Sequence, residues 1–284
     1  MSTLNRRTFL QRSAALAASA AVAQVNGFEP KLEIIDCNVS VGPWPFRHVP
    51  GDDAASLAAH LKKRGVTQAW AGSFEGILHR DIAAANRNLH AACAKIEGGL
   101  LLPAGTLNPS LPGWKDDLGR CAEIHGMRVL RLYPNYHGYA LDDARFLELL
   151  GLVTARKMVL QITAQLEDER TQHPLVQAKP VNLKPLSAAL KKVPEAQVMV
   201  LNANRAMSMT ALQGCPVTLD FAMLEGVGGI ENLLQDWPLN RLVFGSHAPL
   251  FYWESAKLKL QESNLSPGQL AAITHDNATR CLQG

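Results

Sequence analysis

The stretch Arg241-Leu-Val-Phe-Gly-Ser-His-Ala-Pro-Leu-Phe-Tyr-Trp-Glu-Ser-Ala256 decides the fold. Its short apolar run stops at Gly245-Ser246-His247, and a helix-like segment follows. A buried parallel strand opens into a functional loop in this way, with His247 at the opening.

Seven similar runs lie upstream, over 32–42, 66–72, 98–107, 127–133, 158–163, 197–202 and 216–221. Amphipathic or capped segments alternate with them, the first opened by Gly51-Asp52-Asp53 and stopped at Gly65. No 20- to 50-residue period repeats, and no Gly-x-Gly-x-x-Gly follows an early strand. The alternation predicts an α/β chain folded as a (β/α)8 TIM barrel, a single domain over 32–284. A doubly wound open sheet is the structural alternative.

Strand parity then selects residues. In the first strand Asp36, Asn38 and Ser40 alternate with Ile35, Cys37, Val39 and Val41, and the apolar set is expected to meet the helices. Polar residues recur at later strand ends: Arg131 and Tyr133, Gln161 and Thr163, Asn202, Asp220, and His247. Val129, Val159, Val200, Thr218 and Val243 are expected to fill the layer below them. His247 suits general acid/base work, Asp220 or Asp36 would orient it, and Arg131 would clamp a carboxylate or pair with one of those aspartates. Tyr133, His137, Asn38, Gln161 and Asn202 would add substrate contacts. Arg170, in Glu167-Asp-Glu-Arg170, and Glu225, in the glycine-rich 220–229 turn, lie on the same functional face.

Composition narrows the partners. The chain has 284 residues and a net charge of +3, but Arg6, Arg7 and Arg12 precede any acidic residue. Without those three of 28 basic residues, 25 remain against 25 acidic ones, so no charge excess favours nucleic acid or a membrane surface. Asn5-Arg-Arg-Thr-Phe-Leu-Gln11 before an Ala-rich run resembles a twin-arginine export signal over 1–23, with a linker over 24–31. The expected location is the periplasm, with no membrane anchor after cleavage. The five cysteines show no Cys-x-x-Cys spacing and read as core residues. The expected partner is a small molecule. Aromatic residues near the strand ends (Trp44, Phe46, Phe251, Tyr252, Trp253) leave a homo-oligomer open.

Four motifs carry a resemblance: Ile35-Asp-Cys-Asn-Val-Ser-Val-Gly42, Arg131-Leu-Tyr-Pro-Asn-Tyr-His-Gly-Tyr139, Phe244-Gly-Ser-His-Ala-Pro249 and Asp276-Asn-Ala-Thr-Arg-Cys-Leu282. With these the chain resembles the amidohydrolase-2 type of metal-dependent TIM-barrel hydrolases and decarboxylases. The resemblance implies His-x-His on the first strand, further histidines on later strands and a metal-binding aspartate on the last. Here Asn38-x-Ser40, Gln161, Asn202 and His247 stand in those places. Amide and hydroxyl oxygens are poor zinc ligands, so no metal or other cofactor is expected, with zinc or another divalent ion disfavoured. The expected activity is hydrolysis of a small anionic or carbonyl-bearing substrate, of lactone or amide type, or decarboxylation. The alternative is a catalytically inactive barrel that binds a ligand or partner.

Overall fold

The computed structural model describes residues 32–283. The expected export signal and linker lie outside the described residues. Strands and helices alternate: β1 (Ile34–Val41), α1 (Ala54–Lys63), β2 (Val66–Ser73), α2 (Ile82–Ala94), β3 (Leu101–Gly105), α3 (Trp114–Gly119), β4 (Val129–Leu132) and α4 (Ala144–Ala155). Then come β5 (Val159–Thr163), α5 (Leu186–Lys192), β6 (Val198–Leu201), α6 (Arg205–Ala211), β7 (Thr218–Leu219), α7 (Gly229–Leu233) and α8 (Trp253–Glu262). Aspartates set several helix starts. Asp53 and Asp81 accept the backbone N–H groups of Ser56 and Ala84, as good N-caps do.

The seven strands form one parallel sheet in sequence order. The segment 242–248 is too irregular for a full ladder, yet it bridges Leu242 to Leu219 of β7 and Ala248 to Val39 of β1. Cys37 N–H donates to Phe244 O at 2.9 Å, and Ser40 N–H to Ala248 O at 2.9 Å. These bonds close the sheet into the expected (β/α)8 barrel, with 242–248 as its eighth stave.

The barrel separates two apolar layers. Val41, Leu130, Leu160, Val200, Leu219 and Phe244 belong to the large core shared with the helices. Ile35, Cys37, Trp70, Val129, Val159, Met199 and Val243 form an inner cluster, which Ala278, Cys281 and Leu282 of the C-terminal helix join. Two parity expectations fail. Ile35 and Cys37 face inward, because the register of β1 against β2 shifts between Ile34 and Ile35 and again between Asp36 and Val39. On β6 the inner residues are Met199 and Leu201 rather than Val200. Asn202 still turns inward because its φ of 59° breaks the strand alternation.

Candidate active site at the barrel mouth

Arg131 spans the barrel interior. Its Nε donates to Gln161 Oε1 at 2.8 Å. Nη1 reaches Val39 O at 2.7 Å and Ser40 Oγ at 3.4 Å, while Nη2 reaches Cys37 O at 3.1 Å and Trp70 O at 2.9 Å. All five guanidinium hydrogens thus have acceptors within the barrel. The two readings drawn from sequence, a carboxylate clamp and an ion pair with Asp36 or Asp220, give way to a third. Among the described residues Arg131 makes no salt bridge; it braces β1, β2 and β5. Gly72 makes room for it, since a Cβ there would lie 2.8 Å from Nη1. Gln161 is committed as well, its Nε2 donating to Cys37 O at 2.8 Å.

Beside this brace the structure brings together Asn38, Asn202, Asp220 and His247, with Asp36 earlier in β1, all buried. Asn38 Nδ2 donates to Asp220 Oδ2 at 2.6 Å and to Asn202 Oδ1 at 2.7 Å. Asp220 Oδ1 accepts the Asn202 N–H at 2.8 Å. Asp36 Oδ1 accepts the N–H groups of Asn38 at 3.1 Å and Ser246 at 3.0 Å, while Oδ2 has no partner. Burial is the main cause that raises the Asp36 pKa to about 7, and the nearby Asp220 adds to it. Burial likewise raises Asp220 to about 6, against the pull of its bonds to Asn202 and Asn38.

His247 has a φ of 60°, and its backbone N–H donates to Asn38 O at 2.7 Å. Its Nε2 lies 2.8 Å from Leu166 O, an acceptor, so Nε2 carries a proton, while Nδ1 lies 3.4 Å from the Asn202 amide nitrogen. Burial lowers its pKa to about 4. No hydrogen bond joins the ring to Asp36 or Asp220 among the described residues, so the expected orienting carboxylate is replaced by a backbone carbonyl. Gly245, read from sequence only as part of the strand stop, also makes room for the network: a Cβ there would fall 2.6 Å from Asp220 Oδ2. A glycine in an apolar strand directly before a polar strand end was the available signal.

The remaining candidates stand apart. Tyr133 is buried with an unpartnered hydroxyl, and His137 is tied to Gly76 O at 3.1 Å with its pKa lowered by burial. Arg170 is exposed and paired with Asp168 at 2.6 Å, and Glu225 is exposed. Trp44, Phe74, Tyr133, Leu166 and Leu250 form an apolar cap. Arg47 Nη2 bonds to Glu167 at 3.2 Å and to Leu250 O at 3.1 Å, joining the loops after β1, β5 and the eighth stave.

Two clefts flank this cap. One of about 800 Å³ is lined by Gln165, Glu225, Phe251 and Lys259 among others. The other, of about 620 Å³, is lined by Arg47, His60, Phe251 and Tyr252 among others. Phe251 separates them, its ring 5.0 Å from that of His247. Neither cleft is lined by Asp36, Asn38, Asp220 or His247.

The donor set does not suit a transition metal. Among the described residues no three His, Cys, Asp or Glu side chains are grouped to hold one. The Asn38 amide hydrogens point at Asp220 and Asn202, and His247 Nε2–H points at Leu166 O. Only Asp36 Oδ2 remains as an uncommitted anionic donor.

A closed parallel barrel with a polar layer at its strand ends is the TIM-barrel architecture. The family model described as Amidohydrolase matches residues 42–283, and the chain belongs to that family. No curated protein matches the chain in sequence. Among solved structures, 2,6-dihydroxybenzoate decarboxylase from Rhizobium is similar at a TM-score of 0.68 and 10% identity, covering 88% of this chain and 98% of that one. A D314N mutant of 5-carboxyvanillate decarboxylase from Novosphingobium aromaticivorans, with bound manganese, gives 0.67 and 13%, covering 91% and 99%. A TIM-barrel protein from Bordetella bronchiseptica gives 0.66 and 15%, covering 89% and 99%. At these identities the likeness is one of fold.

Proposed function

We propose that this chain is an exported amidohydrolase-family enzyme, a hydrolase or decarboxylase of a small carbonyl-bearing substrate, that works by proton transfer without a metal. The carrying observation is Asp36: fully buried within β1 beside Ser246 of the eighth stave, with one oxygen held by two backbone N–H groups and the other unpartnered. A carboxyl that titrates near 7 can both take and return a proton at neutral pH, which His247, titrating near 4, cannot. Asp36 is therefore assigned as proton carrier, Asp220 as its coupled partner, and His247 as the residue that positions Leu166 and Phe251. Export rests on the twin-arginine pattern around Arg6 and Arg7.

Wild type, Asp36→Asn, Asp220→Asn and His247→Ala would be assayed against lactones, amides and aromatic acids. Loss of roughly 100-fold or more in Asp36→Asn is expected, the usual scale for removing a general acid/base. Wild-type activity in that variant would sink the assignment, and stoichiometric zinc or manganese surviving dialysis would sink the metal-free reading. The sealed network, which lines neither cleft, favours a second reading as a non-catalytic ligand-binding barrel. Ligand binding with no turnover across the panel would select it.

A further inference from the structure

Among the described residues Asp36 makes no salt bridge, and its Oδ1 takes only backbone N–H groups. One of these, that of Ser246 at 3.0 Å, comes from the eighth stave rather than from β1. Ser246 is itself fixed and only 2% exposed. The bonds from Cys37 N–H to Phe244 O at 2.9 Å and from His247 N–H to Asn38 O at 2.7 Å pin the stave to β1 on either side of it. Its hydroxyl oxygen accepts the Ala248 N–H at 3.1 Å, which leaves the hydroxyl's own hydrogen free to turn. That hydroxyl lies close enough to the carboxyl to pull the Asp36 pKa down, against the burial that raises it.

The other titratable and charged groups of this region offer Asp36 no such donor. Asp220, past β7, is a like charge and raises its pKa. Arg131 of β4 has given its hydrogens to other acceptors, and His247 Nε2–H points at Leu166 O. Cys37 in β1 and Cys281 in the C-terminal helix are thiols that burial keeps protonated.

We propose that Ser246 is the positioning residue for Asp36: its N–H fixes Oδ1, its hydroxyl turns its hydrogen onto the carboxylate once the proton has left, and Oδ2 remains the oxygen that exchanges protons. The charge-assisted bond forms only with the ionised carboxylate, so Ser246 sets the pH at which Asp36 releases its proton. Asp36 as proton carrier is taken from the reading above, whereas the grip of Ser246 is measurable without turnover.

The test is an NMR titration of the full-length protein carrying isotope label at its aspartate carboxyl carbons, with the Asp36 and Asp220 signals assigned by their loss in Asp36→Asn and Asp220→Asn. Ser246→Ala should raise the Asp36 midpoint by roughly one pH unit or more, the scale of a hydrogen bond to a charged group. Ser246→Cys, a weaker donor, should raise it by less, and that variant decides if Ser246→Ala fails to fold. An unmoved midpoint in the folded variant would overturn the proposal. So would a rise of Asp220 as large as that of Asp36, since that marks a general loosening of the layer. In turnover, the limb of the kcat pH profile that belongs to Asp36 should move with the carboxyl. A carboxyl that moves while the profile stays supports the grip of Ser246 and removes Asp36 as proton carrier.

Discussion

Asn38 donates its side-chain amide to Asp220 at 2.6 Å across the barrel, joining β1 to the end of β7. The same nitrogen reaches Asn202 Oδ1, so one amide ties together the ends of β6 and β7. An asparagine where the resemblance implies a histidine is thus more than a missing ligand. It holds the strand ends together by hydrogen bonds.

Asn38→Leu tests that role. It keeps the branching at Cγ but leaves Asp220 Oδ2 and Asn202 Oδ1 without their donor. Stability is expected to fall by about 3 kcal/mol, given roughly 1–3 kcal/mol for each buried group left unsatisfied. Urea denaturation at pH 7 measures this, and a variant as stable as wild type would mean the network contributes nothing.

The buried carboxylates set a pH dependence whose sign can be worked out. Asp36 and Asp220 titrate near 7 and 6 in the fold against 3.8 for a free aspartate, so between those pH values the native state binds more protons than the unfolded one. Their stabilisation is complete below about pH 4 and is lost as pH rises through 6 and 7. His247, lowered from 6.5 to about 4, acts oppositely over that interval and stops contributing above 6.5. From there upward Asp36 governs, and stability should decline towards pH 8. Asp36→Asn imitates the protonated form, so at pH 8 it should be more stable than wild type. Urea midpoints at pH 6 and pH 8 check this; an Asn variant less stable at pH 8 would mean that the ionised carboxylate has a favourable partner.

The barrel was legible because alternation and helix-capping aspartates such as Asp53 and Asp81 are local signals. The polar strand ends were legible too, since their type and position mark the inner face. What escaped was whatever depends on backbone from distant strands. The inward turn of Ile35 and Cys37 follows from register shifts in β1, which no single-strand pattern records. The commitment of Arg131 depends on carbonyls of Cys37, Val39 and Trp70, and every residue type offers a carbonyl. His247 stands at the barrel mouth, but its ring is held by a carbonyl, that of Leu166, where a carboxylate was expected.

Chelation tests the proposed metal-free reading by fold stability alone. With Asn38, Asn202 and His247 bonded to protein groups, prolonged dialysis against EDTA should leave the thermal midpoint unchanged. Added zinc or manganese should not raise it, because a ligand stabilises only the state it binds. A rise that grows with metal concentration would show a site formed by rearrangement of this layer.

Gly245 offers the sharpest steric test. A methyl group there would sit 2.6 Å from Asp220 Oδ2, 2.7 Å from Asp220 Cβ and 3.1 Å from Asn38 Cβ. Neither side chain can retreat without breaking the bond between them. Gly245→Ala is therefore expected to cost roughly 1–3 kcal/mol, the range for overpacking, plus the loss of that bond. Gly151, inside α4, is the control: a Cβ there meets nothing within 4 Å, so Gly151→Ala should stabilise by roughly 0.5–1 kcal/mol. Thermal and urea denaturation of both variants measure the difference. Equal stability of the two would mean that Asp220 and Asn38 yield freely, and that the network does not fix the barrel mouth.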